Sequence, residues 1–275
     1  MSEEYADWIG NAETRVDKLD AGRCNALFAA LGQHRIVEDG DPLPQLHHWL
    51  HFWDVRPPTS LGEDGHPAKG GFLPPIALPR RMWAGGRVRF ESPLAVGEVI
   101  ERKTAIRSIE SKSGRSGQLV FVTLEHRISG AAGLAIVEEQ SLVYREAAPA
   151  TVSPPAPLGL PPACSAHAVV MPDSVLLFRY SALTMNGHRI HYDRPYAVET
   201  EGYPALVVHG PLQATLLAEL AQQMLGGPLT NFEFRGQSPA FDNIELHLCG
   251  ERISNEVELW SQQGSVRSMV ANATA

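Results

Sequence analysis

The densest run of reactive side chains lies between Phe178 and Pro211, where Asn186, His188, His191, Tyr192, Asp193 and His209 share one polar segment. Histidine is the side chain best suited to proton transfer near neutral pH, which makes His191 a candidate general acid/base. Asp193 stands two residues further on and is expected to help orient it. Val208-His209-Gly210 then leads directly into an apolar-periodic segment. Backbone N–H groups at a helix N-terminus point outward and favour developing negative charge. An acid/base group beside such a terminus is what adding water across a thioester-conjugated double bond requires, because an oxyanion develops there.

The elements that must position these residues can be read from periodicity and turn chemistry. His209 to Leu225 has apolar residues at positions 212, 216, 217, 220 and 224, with Pro211 suited to a first turn and Gly226 to a stop. It predicts a buried amphipathic helix. VLLFRYSALT and a polar loop precede it, and four strand candidates follow, near NFEFRG, NIELHLCG, EVELWSQ and SVRSMVANA. The first part of the chain has the same order. A helix is expected from Val16 to Leu31, on the spacing of Leu19, Cys24, Leu27, Phe28 and Leu31. A Pro/Gly-rich stretch from Asp41 to Ala84 favours turns and extended backbone. From Arg87 onward VRF, VIERKTAIRSIES, QLVFVTLEHRI and AIVEEQSLVYRE read as strands. Between the two parts, Ala147 to Pro162 is too proline-rich for helix or ladder and reads as a linker, dividing the chain into residues 1–146 and 163–275. Twice, a helix precedes a group of antiparallel strands. That is the outline of an α+β double hot dog, two helices each wrapped by a sheet.

Bulk properties narrow the function classes. Cys24, Cys164 and Cys249 are far apart in sequence and lack CxxC spacing, so neither a disulfide framework nor a zinc ribbon is readable. The acidic MSEEYADWIG start and the lack of any long apolar run argue against export and membrane spanning, and a cytoplasmic protein is expected. A net charge of -8 disfavours nucleic acid as a partner. Local basic clusters, at Arg80, Arg81, Arg87 and Arg89 and again from Arg102 to Arg115, suit either a phosphate-bearing ligand tail or a solvated strand face.

Asn186-Gly-His-Arg-Ile-His191-Tyr-Asp193 resembles the hydratase signature D-x-N-P-[LIV]-H-x-D of MaoC-like enzymes, and Val208-His209-Gly210 resembles the V-H-G that follows it. The flanking words GGFLPP, RRMWAGG, KSGRSG, LVYRE and EGYPALVVHGPL are similar to the hydroxyacyl-thioester dehydratases and the mesaconyl-C4-CoA or itaconyl-CoA hydratases. The resemblance extends over nearly the whole chain. It implies a hydro-lyase acting on a short, branched dicarboxylic acyl-CoA, with no cofactor. It also implies His191 as the catalytic histidine, the Gly210 amide as the group that binds the thioester carbonyl, and a first half that binds rather than catalyses.

One departure matters. Asn186 occupies the position of the family's catalytic aspartate, and an amide cannot take a proton, so Asn186 is expected to hold water instead. Arg189 stands where the family has proline and becomes a candidate partner for a distal substrate carboxylate. Asp193, His209 and Trp83 of RRMWAGG are further substrate-binding candidates.

Competing readings attach to these residues. His191 can instead be a structural histidine bonded to backbone, and His209 a packed or capping residue. His188 with His191, and His47, His48 and His51, have partial metal-ligand spacing without a clear further ligand, so no metal is expected. DGHPAKGG, residues 64–71, lacks the Lys-Ser/Thr ending of a phosphate loop. A hot-dog thioesterase and a non-catalytic acyl-CoA or acyl-carrier binding module are the alternative functions, and a homo-oligomer is possible for any of them.

Overall fold

The computed structural model describes residues 3–114, 117–146 and 164–275. The expected linker at 147–162 lies outside the described residues. The strands are β1 (Ala12–Lys18), β2 (Arg80–Phe90), β3 (Val99–Gly114), β4 (Gly117–Gly130), β5 (Gly133–Arg145), β6 (Ala166–Val170), β7 (Asn231–Gly236), β8 (Leu246–Ile253), β9 (Glu256–Gln263) and β10 (Val266–Thr274). The helices are α1 (Ala21–Ala30), α2 (Ser174–Thr184) and α3 (Gly210–Leu225). All the strands join one antiparallel sheet in the order β1-β3-β4-β5-β2-β7-β10-β9-β8-β6. The first five in that order come from the first half of the chain and the last five from the second, which gives the α+β double hot dog.

The long strands form because their side chains alternate. In β4, Val120, Val122, Leu124 and Ile128 face inward while their neighbours are more exposed. The two halves meet where β2 pairs with β7, Gly86 opposite Phe234 and Val88 opposite Phe232. Gly85 makes this seam possible, since a Cβ there would lie 2.4 Å from Phe234 O. In the second half, α3 buries Leu212, Ala214, Leu216, Leu217 and Ala221 and is wrapped by β8, β9 and β10. It ends at Gly226 in the left-handed region (φ 78°).

Two elements differ from the sequence expectation. Ala12–Lys18 is strand β1, paired with β3, and α1 begins only after Asp20, whose carboxylate accepts from Arg23 N. Thr14 and Val16 are β-branched and β3 offers an open edge, so the ladder prevails over a helical start at Val16. Second, β2 starts at Arg80 rather than at Arg87, so RRMWAGG already belongs to the strand. VLLFRYSALT, which carried no assignment from sequence, forms helix α2, capped by Asp173. As the Pro/Gly-rich stretch implied, the first half has no long central helix among its described residues. Its α1 is 10 residues long and packs on α2. No helix among the described residues is long and apolar enough to cross a membrane.

Candidate active site

Helix α2 ends at Met185 in the left-handed region (φ 52°), which turns the chain back on itself. Asn186 Oδ1 then accepts from His188 N at 3.0 Å, closing an Asx turn that starts the single 3-10 turn Arg189–His191. This places His191 indoors, 7% exposed. Its Nδ1 lies 2.7 Å from Val207 O. A carbonyl only accepts, so Nδ1 carries the hydrogen and Nε2 is left with a lone pair.

The strap that supplies this carbonyl is itself held from both sides. Val207 N donates to Ile190 O (3.0 Å), Val208 N to Ala240 O (2.8 Å) and Leu206 N to Asp242 Oδ1 (3.0 Å). Burial pushes the His191 imidazole down to about 4, against a smaller upward effect of the Val207 bond, so it is neutral at neutral pH.

His209 is fully buried and stacks on His191 with ring centroids 3.7 Å apart and 20° between planes. Its Nε2 is 2.8 Å from Ser181 Oγ on α2, and its buried Nδ1 has no partner among the described residues. Burial holds this ring well below the ordinary histidine range. The next residue, Gly210, opens α3, where first-turn N–H groups have no intrahelical acceptor. A Cβ at Gly210 would meet only Met269 Cε, at 3.8 Å, so the backbone there is open to close approach.

The structure therefore brings His191, His209 and Gly210 together, with His188 edge-on to His191 at 5.5 Å. Asp193 does not orient His191, contrary to the sequence expectation. Its Oδ2 accepts from Arg189 Nε (2.9 Å) and Nη2 (2.7 Å), because residues 189 and 193 share one side of the turn while the His191 ring faces the strap. The Val207 carbonyl does the orienting. Arg189 is committed in the same way, with Nη1 on Glu63 O at 3.1 Å and its guanidinium 4.2 Å from the Tyr196 ring centroid. Trp83 packs edge-on against Trp49 (5.0 Å) and Phe234 (5.4 Å), with its indole N–H buried and unpartnered among the described residues.

Asp64 and His66 are the site residues that sequence reasoning missed, because DGHPAKGG was weighed only as a phosphate loop. Gly65 (φ 85°) presses this loop onto the Asn186–His191 turn, where a Cβ would lie 2.0 Å from Gly187 O. Arg189 N donates to Asp64 O at 2.9 Å. His66 Nδ1 lies 3.0 Å from Asp64 Oδ2, and the His66 ring is 4.3 Å from that of His188. Asp64, His66 and His188 each offer one ligand atom within 4.8 Å of the others, a two-histidine, one-carboxylate set able to take a divalent cation. The readable signal was an Asp-x-His pair inside a glycine-rich loop.

The family model for hydroxyacyl-thioester dehydratase type 2 matches residues 46–242. The chain belongs to the hydroxyacyl-thioester dehydratase type 2 family. Among the relatives of this dehydratase chain, mesaconyl-C(4)-CoA hydratase of Chloroflexus aurantiacus is 47% identical over 263 residues, covering 95% of this chain and 94% of that protein. The mitochondrial hydroxyacyl-thioester dehydratase type 2 of Schizosaccharomyces pombe is 29% identical over 240 residues, 78% of each chain. In fold, the dehydratase chain matches a MaoC-like dehydratase of Phytophthora capsici at TM-score 0.70 and 13% identity, covering 96% and 95% of the two chains. It also matches a double-hotdog protein of Mycobacterium tuberculosis at TM-score 0.55 and 14% identity, covering 97% and 96%.

Proposed function

We propose that this chain is a hydro-lyase that reversibly adds water across the Cα=Cβ bond of a short, branched dicarboxylic enoyl-CoA thioester, of the mesaconyl-C4-CoA or itaconyl-CoA type. The observation that carries the reading is His191. It is buried and neutral, with Nδ1 fixed on Val207 O, and it stands beside the N-terminus of α3. In the hydration direction water oxygen bonds to Cβ and one water proton passes to His191 Nε2. The double-bond pair moves toward Cα and the thioester oxygen, which the Gly210 N–H and the α3 terminus stabilise. Cα then takes the proton from Nε2, which restores neutral His191. Asn186 holds water or substrate through its amide, and no cofactor is needed. We place the enzyme in the cytoplasm, as a homo-oligomer.

A distal carboxylate entering the groove needs a cation, because an unpaired buried carboxylate costs several kcal/mol. Arg189 is already held by Asp193. Arg81 on β2 has no carboxylate partner among the described residues; it makes a long contact of 3.5 Å to Pro67 O, also interacts with the Tyr144 side chain, and its charge acts on both His66 and His188. It is the better-placed partner for the substrate carboxylate.

The test follows enoyl-thioester absorbance and free-thiol release together. A hydratase consumes the enoyl band without thiol, a thioesterase releases thiol, and a binding module does neither. Mesaconyl-type or itaconyl-type substrates are expected to exceed crotonyl-CoA by at least about tenfold in kcat/KM, roughly 1.4 kcal/mol. Arg81→Leu narrows that ratio, whereas Arg189→Leu lowers both rates alike. Equal turnover of crotonyl-CoA by the parent protein rules out the dicarboxylic substrate.

A further inference from the structure

Water attacking Cβ is best aimed when both of its O–H groups are accepted, so that an oxygen lone pair points at the carbon. His191 Nε2 is one acceptor. Asn186 has committed its Oδ1 to His188 N, which leaves its Nδ2 free to donate to the water oxygen but supplies no second acceptor for a water proton. His209 lies closer but is stacked face-on and fully buried, so the next ring with uncommitted nitrogens is His188, edge-on to His191 at 5.5 Å, whose side-chain nitrogens have no hydrogen-bond partner among the described residues. What faces His188 from the other side comes from the first half of the chain.

We propose that His188 is the second group holding the attacking water, and that the Asp64–His66 pair of the N-terminal half is a positioning element that fixes the tautomer and orientation of His188. The inference rests on the hydratase reading above.

The carboxylate of Asp64 accepts from both nitrogens His66 directs at it, the backbone N–H at Oδ1 (3.0 Å) and ring Nδ1 at Oδ2 (3.0 Å). That fixes one tautomer of His66, with hydrogen on Nδ1 and a lone pair on Nε2. The rings of His66 and His188 lie 4.3 Å apart, and one nitrogen of each lies within 4.8 Å of the other and of an Asp64 oxygen. A bridging water fits such a gap, since two ordinary hydrogen bonds span about 5.6 Å. The N–H of His188 then points to the acceptors of the pair, and its other nitrogen presents a lone pair toward His191.

The pair is built in rather than loosely attached. Gly65 lacks a side chain where the loop touches Gly187, and Arg189 ties the two segments through Asp64 O and Glu63 O. No net proton is lost in this arrangement, because the proton taken from water still passes to Cα through His191.

The experiment is a double-mutant cycle on hydration of a dicarboxylic enoyl-CoA, with Tm recorded for each variant. Asp64→Asn and His66→Gln are each expected to lower kcat about 10- to 100-fold with KM within about threefold and Tm nearly unchanged. His188→Leu loses more than about 100-fold, and His188→Gln, which keeps an acceptor, recovers at least tenfold of that loss. In the His188→Leu background, Asp64→Asn and His66→Gln have little further effect, as expected of residues acting through His188. Losses that multiply across the cycle, or that fall on KM and Tm rather than kcat, overturn the proposal. So does loss of turnover on EDTA treatment with restoration by Zn²⁺, which makes the three side chains metal ligands instead. If one variant of the pair does not fold, the other completes the cycle. A parent protein that hydrates no enoyl-CoA overturns the functional reading and this inference together. A parent that hydrates normally but gives an additive cycle overturns the positioning role alone.

Discussion

Val207 O, rather than a carboxylate, sets the tautomer of His191. Burial disfavours the imidazolium and a carbonyl offsets that less than a carboxylate would, so His191 stays in its neutral form at neutral pH. His191→Ala is expected to lower kcat about 10²–10⁴-fold with the fold intact, the usual worth of a general acid/base. Steady-state hydration rates with circular dichroism check it, and near-normal turnover would refute the assignment. Asn186 gives a sharper comparison, because its Oδ1 already closes the turn before His188. Asn186→Ala should be clearly impaired, while Asn186→Asp, which accepts the same backbone N–H, should keep measurable activity. Alanine equal to the parent would make the position structural only.

Among the elements, the loop around Asp64 and the turn around Gly187 form a clamp between the two halves. Gly65 is needed there for two reasons, its φ of 85° and the 2.0 Å a Cβ would leave to Gly187 O. Gly65→Ala is therefore expected to cost on the order of 1–3 kcal/mol and to lower turnover by moving the loop off the turn. Gly71→Ala is the control, since a Cβ there meets nothing within 4 Å. Thermal unfolding of both variants decides the matter, and equal Tm values would mean that the loop yields freely. The helix at 209–225 was legible in sequence because its apolar period, Pro211 and Gly226 all agree. Strand β1 was not legible, because its register is set by the open edge of β3 rather than by its own seven residues.

Over the whole molecule, the buried histidines act together. Burial pushes His47 down to about 3 and His51 and His191 to about 4, and it also lowers His66, His126, His188 and His209. These groups are neutral when folded and take protons when unfolded, so between about pH 6.5 and 4 the unfolded state binds more protons. Stability is therefore present above pH 6.5 and is lost as pH falls, at about 1.4 kcal/mol for each full unit of depression. Tm should hold from pH 7.5 to about 6.5 and then drop toward pH 4, and a flat or rising profile below pH 6.5 would contradict the buried neutral state. Hydration should fail only as pH falls toward about 4, because protonated His191 cannot accept a proton from water.

Sequence alone determined what is local. Strand alternation, the capped and Gly-stopped helix α3, and the spacing that puts His191, His209 and Gly210 within one loop and helix start are all fixed over a few residues. So is Asn186 in place of an ionisable group. Only the tertiary structure decided which partner each of these side chains takes. Arg189 and Asp193 bind each other, the strap at Val207 orients His191, and Trp83 enters an aromatic cluster. Asp64 and His66 reach the site from more than a hundred residues away in sequence. Hydrogen-bond partners across the two halves depend on how β2 and β7 join the sheet, and no periodicity within either segment encodes that pairing.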